Sequence, residues 1–310
     1  MMHLRVISAA DLTESVVDLL QAHPAVANLI VHPGAARSPQ GDVVIGDVAR
    51  EAVSEVLELL RSTGVESKGA IALDEVALSL SPEADRAEKA APGMGSDAVV
   101  WQQIEQTTGE ESRLTVTFLV FLTIATIIAG IGVLLDQPIL IVGAMVVGPE
   151  FGPLAALCVG LVQRRGALVR RSLLALAVGF VVALVITMAA TALLDAAGLV
   201  DKSMLLAERP LTSFIWRPDA LSWVIGFLAG IAGMLSLTTA KSGALIGVLI
   251  SVTTVPAAAN AAVAFTYGVA DEALGSLLQL TINLASIVVA GVLTLLVQRL
   301  VAGLREGRVE

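Results

Sequence analysis

The chain has 310 residues, of which 56% are hydrophobic and only 15% are charged, and its mean hydropathy is +0.84. Ordinary soluble domains carry about 25% charged residues, so this composition indicates a chain that lies largely in a bilayer. Residues 1–112 hold 7 Lys/Arg and 18 Asp/Glu, whereas residues 113–310 hold 12 and 10. Because an acidic front part repels phosphates, we expect no nucleic acid partner.

Metal and disulfide chemistry have little support in the sequence. Cys158 is the only cysteine, which rules out an intrachain disulfide and a cysteine-based metal site. The three histidines are too scattered to indicate a metal site, so we expect neither metal nor cofactor. The N-terminal residues lack a basic segment followed by a long apolar core, so we expect no cleavable signal and a cytoplasmic N-terminus.

Residues 1–80 predict a small α+β domain in the order β-α-β-β-α-β, which is typical of a ferredoxin-like fold. Asp11 and Glu14 have the spacing of a capping box at the start of the first helix, and the second strand is expected to end at Pro33-Gly34. This fold hosts many functions, so docking, oligomerisation and regulatory ligand binding all stay open. The predicted strands cover about 3–9, 26–32, 42–48 and 70–80, and the second helix covers 49–62 with Gly64 as its stop.

Residues 81–112 predict a linker rich in Pro, Gly and Ala, followed by an interfacial helix that carries Trp101. Residues 113–310 predict an all-α transmembrane domain, because a spanning helix needs about 20 mostly apolar residues. Six stretches meet this criterion: 114–135, 138–162, 168–194, 221–239, 242–267 and 274–298.

The basic residues predict the orientation of these spans. With the N-terminus inside, nine Lys/Arg flank the cytoplasmic ends and only Lys202, Arg209 and Arg217 lie on the other side. This asymmetry predicts a multi-pass protein of the cytoplasmic membrane with both termini in the cytoplasm. Trp216, Trp223 and Tyr267 then fall at the outer interface.

A shift of 100 residues aligns Ala129-Gly130-Ile131 with Ala229-Gly230-Ile231, and Gly143-Ala144-Met145 with Gly243-Ala244-Leu245. Each match lies at an equivalent place in a unit of three helices. Since three is an odd number, the second unit must enter the membrane from the opposite side. The pattern therefore predicts an inverted 3+3 repeat, a construction common in secondary transporters.

The second span contains Gly148-Pro149-Glu150-Phe151-Gly152-Pro153, which cannot continue a regular helix because each proline lacks an amide donor and clashes with the preceding turn. Pro149 lies 11 residues from the outer end of this span, or roughly 17 Å at helical rise, which is near the middle of the bilayer. Broken helices at this depth point to a transport site.

Glu150 is the only acidic residue deep in a predicted span. Intramembrane carboxylates are costly and suggest a function, here as a carrier of a proton or a cation. The alternative is structural, because a carboxylate after a proline also complements the free amides at the start of a half-helix.

The fifth span contains a second candidate break, Ser251-Val252-Thr253-Thr254-Val255-Pro256. Thr253 and Thr254 offer hydroxyl groups beside Pro256, and Asn260 is expected to face the same way as the break. Hydrogen bonding between helices is the other explanation for these groups, and it is the favoured one for Gln279 and Asn283.

The predicted front domain, the segment Ala98-Val99-Val100-Trp101 and the stretch from Gly143 to Pro153 together resemble the hydrophobic membrane proteins grouped as domain of unknown function 389. The resemblance covers nearly the whole chain, and its most specific part is the Gly-Ala-Met…Pro…Gly-Pro stretch. It implies the architecture and names no substrate.

These features predict a secondary transporter or permeation protein whose central site combines Gly148, Pro149, Glu150, Gly152, Pro153, Thr253, Thr254, Pro256 and Asn260. Its partners would be the lipid bilayer, a small solute or ion, and another copy of the chain in a homo-oligomer. The alternative is a membrane-anchored sensor or scaffold whose front domain binds a metabolite or partner without transport. An enzyme is not expected, because no second acid or base accompanies Glu150 in the spans.

Overall fold

The computed structural model describes residues 1–76, 78–91, 101–239 and 253–306. The described chain forms two compact units. One is built mainly from Met1–Ile104, and the other from Glu105–Leu237 and 253–300. The change of composition near residue 112 therefore lies close to a change of structural unit.

The first unit contains a four-stranded antiparallel sheet with the strand order β2-β3-β1-β4. The prediction of an α+β front domain is confirmed at this level. Its elements are β1 (Met2–Ser8), α1 (Thr13–Ala22), β2 (Val26–Arg37), β3 (Gln40–Val48), α2 (Val53–Ser62), α3 (Val65–Lys68), β4 (Ala70–Glu75) and α4 (Pro82–Ala90).

Hydrophobic alternation explains the core of this unit. In β1, Met2, Leu4 and Val6 are buried while the residues between them are more exposed, as the two-residue period of a strand requires. The α2 helix presents Val56, Leu60 and their neighbours to the same core. Gly64 ends that helix in the left-handed region, as predicted, with φ of 77°.

Two local predictions for this unit are wrong. Asp11 does not cap α1: Leu12 occupies the cap position, and Asp11 instead accepts a hydrogen bond from Lys68 at 2.9 Å, which lowers the pKa of its carboxyl group. The second strand continues past Pro33-Gly34 to Arg37. It lies at the edge of the sheet and its pairing is irregular between His32 and Ala36, a place where a proline is tolerated.

The second unit is helical, and its helices follow the predicted spans closely. Among the described residues, four helices are long and apolar enough to cross a membrane, and one further pair of apolar helices is bent by 53°, as in a broken span or a re-entrant loop. The helices are α5 (Trp101–Glu111), α6 (Val116–Leu134), α7 (Pro138–Val147), α8 (Phe151–Val162), α9 (Gly166–Ala196), α10 (Lys202–Leu206), α11 (Ala220–Thr238), α12 (Thr254–Thr266) and α13 (Ala270–Glu306).

The structure modifies the predicted spans in three ways. The predicted second span corresponds to the bent pair α7 and α8, while α9 and α13 extend past 168–194 and 274–298. Of the fifth span, 242–267, residues 253–267 are described and the earlier ones lie outside the described residues. Apolar helices of this length indicate a membrane protein, since they would expose a large apolar surface in water.

Several connections between these helices meet at one end of the second unit. The hydroxyl group of Thr212 donates to Asp136 at 2.8 Å, which joins the loop after α6 to the loop before α11. The Tyr267 hydroxyl group donates to Asp195 at 3.2 Å, which joins the end of α12 to the end of α9. We call this end, defined by Asp136, Asp195, Thr212 and Tyr267, the loop end.

Glycines on α11 allow it to approach α13 closely, and their replacement should destabilise the second unit. A Cβ atom on Gly230 would lie 2.7 Å from the backbone oxygen of Ile287, which cannot swing away as a side chain can. We expect Gly230→Ala to lower stability by about 1–3 kcal/mol, the usual cost of overpacking.

Thermal unfolding of the purified protein in detergent measures this effect. Gly143→Ala is the matched control, because Gly143 is also helical and a Cβ there has no neighbour within 4 Å. Equal melting temperatures for Gly230→Ala and Gly143→Ala would show that α11 and α13 do not pack as described.

Candidate functional site

The first predicted break is confirmed, and the interruption of the helix is shorter than the predicted segment 148–153. The α7 helix ends at Val147 and α8 begins at Phe151, so that the connection consists of Gly148-Pro149-Glu150. Pro153 lies in the first turn of α8, where amide groups lack helical partners and a proline costs little. Pro149 alone therefore interrupts the helix.

The second candidate break is the start of a helix. Thr253 is the N-cap residue of α12, and Pro256 lies in the first turn of that helix. Every described residue of α12 from Thr254 to Ala264 is buried. Both proline-containing segments thus place the N-terminus of a helix inside the protein.

These two helix starts meet. The Thr254 hydroxyl group donates a hydrogen bond to Oε1 of Glu150 at 2.6 Å. From this point the two helices run toward opposite ends of α9. Gly160, near the end of α8, packs against Val169 in the first part of α9. Thr266, at the end of α12, donates a hydrogen bond to the Met188 carbonyl group in the last part of α9 at 3.4 Å. The two helices have 12 and 13 residues, or about 18 and 20 Å, which puts their meeting point roughly halfway across a bilayer.

Glu150 is almost completely buried at this meeting point, with 5% of its surface exposed. Its side chain occupies the N-cap position of α8 but caps no amide of that helix. Among the described residues, its Oε2 atom has no hydrogen-bond partner. A simple capping role therefore accounts for neither oxygen, and Oε2 stays open to a proton or a cation.

The surrounding backbone balances this carboxylate. The N-termini of α8 and α12 each carry about +0.5 elementary charge, and both face Glu150. The last carbonyl groups of α7 end at the same place and provide acceptors. The site thus offers amide donors, carbonyl oxygens and one carboxylate.

Gly148 makes room for the carboxylate of Glu150, which lies against its backbone. A Cβ atom there would lie 2.4 Å from Oε2 of Glu150 and 2.8 Å from the Val255 side chain. Only a glycine fits without moving the carboxylate or α12. Gly148 therefore belongs to the site because its lack of a side chain accommodates the Glu150 carboxylate.

A buried polar stripe on α13, which we call the α13 stripe, faces α12. Asn283 donates to the Thr253 hydroxyl group at 3.0 Å, and Gln279 donates to Asn283 at 3.3 Å. The interhelical role predicted for Asn283 is present. The members of the α13 stripe are spaced alternately by four and three residues, which places them on one face of the helix. They are Glu272, Ser276, Gln279, Asn283 and Ser286.

Asn260 lies away from the break, contrary to the expectation that it faces the same way. It is two turns further along α12, where its amide group donates to Ser276 at 2.7 Å and to Glu272 at 3.1 Å. Arg209 donates to the Asn260 side-chain oxygen at 3.3 Å and forms a salt bridge with Glu272. We call Arg209, Asn260, Glu272 and Ser276 the arginine cluster.

Sequence reasoning missed most of the arginine cluster. Arg209 was assigned to an outer loop, where an exposed charge is expected, yet it is only 7% exposed. Glu272 is four residues before Ser276 and two from the start of α13, which is also the position of an ordinary helix-start carboxylate. The repeated polar spacing along α13 was the one signal that could have revealed it.

Glu111 is a further carboxylate close to the break that was not predicted. A Cβ atom on Gly152, in the first turn of α8, would lie 2.8 Å from the Cβ atom of Glu111. Gly152 therefore serves the site by letting α5 approach α8.

Cys158 is buried inside α8, with 1% of its surface exposed and its thiol group 3.7 Å from the Val288 carbonyl oxygen. We expect a membrane-impermeant maleimide to leave it unmodified from either side of the membrane, and to label it fully after denaturation. Mass spectrometry of intact vesicles measures the modification. Rapid labelling of the folded protein from the loop end alone would contradict this placement.

Comparison with known proteins supports the family resemblance and adds no activity. Residues 145–289 match the model of a domain of unknown function, DUF389. The matched region includes the break, all of α12 and the α13 stripe. No curated protein and no solved structure is significantly similar to the chain. No group of three or more potential metal ligands occurs among the described residues.

Proposed function

We propose that the region matched by the DUF389 model, residues 145–289, is the membrane-embedded core of a secondary transporter or related permeation protein. Its central site lies where α8 and α12 begin, and Glu150 carries the coupling proton or cation. The observation that carries this proposal is the buried Oε2 atom of Glu150, which lacks a partner among the described residues between two helix N-termini.

The chemistry of the site favours reversible binding over a purely structural role. A charged carboxylate deep in a membrane is costly, and a structural site would satisfy both of its oxygens. Here Thr254 satisfies one oxygen, whereas the other has no hydrogen-bond partner among the described residues. Binding a proton or a cation at Oε2 changes the charge between the helix starts, so it can favour one arrangement of the helices over another.

We further propose that the helices form an inverted 3+3 repeat. Three features support it: α6 and α11 have 19 residues each, α8 and α12 run in opposite directions from one point, and α9 and α13 are the long third helices. Alternating access would then rock one repeat against the other.

The front domain and the orientation are proposed from similar reasoning. The element order β-α-β-β-α-β together with the strand order β2-β3-β1-β4 supports a ferredoxin-like fold. The distribution of basic residues supports a multi-pass protein of the cytoplasmic membrane with both termini inside. The loop end would then face outward.

Proteoliposomes with a trapped pH-sensitive dye test the proposed function. The full chain is reconstituted, a pH or sodium gradient is imposed, and pools of small hydrophilic solutes are added outside. We expect at least one pool to move protons or sodium through the protein and not through empty liposomes.

If no pool or ion moves while the purified chain still binds a metabolite, the sensor interpretation replaces transport. A partner-binding scaffold without flux would lead to the same conclusion. Flux of a solute without any effect of either gradient would retain permeation and remove the coupling role of Glu150.

A further inference from the structure

We infer that the α13 stripe marks the route by which water and protons reach Glu150 from the loop end, and that the Arg209–Glu272 salt bridge closes this route. The inference rests on the proposed function, since it describes access to the same carboxylate. Protons would enter from the loop end, follow the α13 stripe and be stopped by the closed salt bridge.

The stripe connects the two polar clusters without a break along α13. Glu272 and Ser276 belong to the arginine cluster, Gln279 is one turn deeper, and Asn283 bonds to Thr253 beside the break. Glu272 and Asn283 are 11 residues apart, or about 17 Å along the helix, which is close to half of the hydrocarbon thickness. The stripe therefore has the length that a route from one surface to the site requires.

A polar cavity of about 610 Å³ lies at the surface end of the stripe. Arg209 and Glu272 both line it, together with Arg217, Asp271 and Trp216. These charged side chains place the cavity outside the hydrocarbon region, because charges in contact with lipid are costly. The salt bridge is thus the boundary between this cavity and the buried stripe.

The salt bridge has the properties of a closing contact. The side chains of Arg209 and Glu272 are 5% and 6% exposed. The salt bridge joins the loop before α11 to α13. Asn260 of α12 hydrogen-bonds to both side chains. A buried ion pair adds little stability compared with apolar residues of similar size, so stability alone does not explain it. Among the described residues the Nε atom of Arg209 also lacks a partner, as expected for a contact that exchanges between arrangements.

Cysteine accessibility tests the route directly, because Cys158 is the only native thiol. In a Cys158→Ala chain, Asn283→Cys places a thiol at the depth of Glu150. A positively charged methanethiosulfonate reagent is applied from the loop end of oriented vesicles, with and without the double substitution Arg209→Gln/Glu272→Gln. We expect the double substitution to raise the modification rate about tenfold or more, because it shifts the population toward the open state.

The matched control is Val289→Cys on the same helix, where the side chain is exposed on the outer surface of the helices. In a membrane that surface faces lipid, which a charged reagent does not enter, so its rate should not change. An unchanged rate at Asn283→Cys in a correctly folded double variant would overturn the gate.

A second variant tests the route while Arg209 and Glu272 stay unchanged. Ser276→Ala removes the hydroxyl group from the stripe and leaves a smaller apolar side chain that fits the same space. We expect it to slow both thiol modification at position 283 and proton movement from the loop end. Normal rates of both would overturn the route.

The outcomes also separate this inference from transport itself. Modification at position 283 that responds to both variants, in a protein without flux, supports the route and removes the transport proposal. Flux that depends on Glu150 but ignores both variants keeps transport and removes the route.

Discussion

Replacing Glu150 by glutamine should abolish gradient-driven uptake while the protein stays folded. Glutamine keeps the shape of the side chain and can still accept the hydrogen bond from Thr254, which is 2.6 Å long in the native chain. It cannot take up and release a proton. We expect uptake driven by a pH gradient to fall by about two orders of magnitude, the size typical for loss of a positioned proton carrier.

Two variants control for the shape of the site. Glu150→Asp retains an ionisable group and should keep a pH-dependent, slower uptake. Thr254→Ser retains the donor hydroxyl group and should behave like the native chain, whereas Thr254→Val removes it. Uptake by Glu150→Gln that matches the native protein at every pH would show that the carboxylate is structural.

Breaking the Arg209–Glu272 salt bridge from one side should cost about 3–5 kcal/mol of stability, because it leaves an unpaired buried charge. We expect Arg209→Gln and Glu272→Gln each to lower the unfolding midpoint in detergent strongly. Asn260 hydrogen-bonds to both side chains and supplies no compensating charge.

The double substitution Arg209→Gln/Glu272→Gln should be more stable than either single one, since no lone charge is left. Unfolding of all four proteins gives the coupling energy between the two side chains. Lys202→Gln is the control, because Lys202 is an exposed charge at the start of the nearby helix α10. Single variants as stable as Lys202→Gln would show that the pair is solvated.

Much of the fold follows from sequence patterns that act locally. Long apolar helices are present where the first, third, fourth and sixth spans are predicted, because about 20 apolar residues are the physical requirement for crossing a bilayer. Strand alternation in β1 and the helical period in α2 likewise depend only on near neighbours. The errors occurred at Asp11 and Pro33, where a distant lysine and an edge position in the sheet outweigh local preference.

The candidate site divides in the same way. Pro149 and Glu150 were identified because a proline and a carboxylate inside an apolar span violate strong local rules. Arg209 and Glu111 were not identified, since an arginine in a loop and a glutamate at a helix end violate none. Their importance comes from burial and from contacts with residues that are distant in the chain.

The sequence by itself indicated that this chain enters a membrane, which of its segments form long apolar helices, and that one segment breaks at Pro149, because composition and proline chemistry act locally. Only the tertiary structure decided that Thr254 reaches Glu150 and that Arg209 reaches Glu272. These pairs are 104 and 63 residues apart. Such meetings depend on how whole helices pack, which no local pattern encodes.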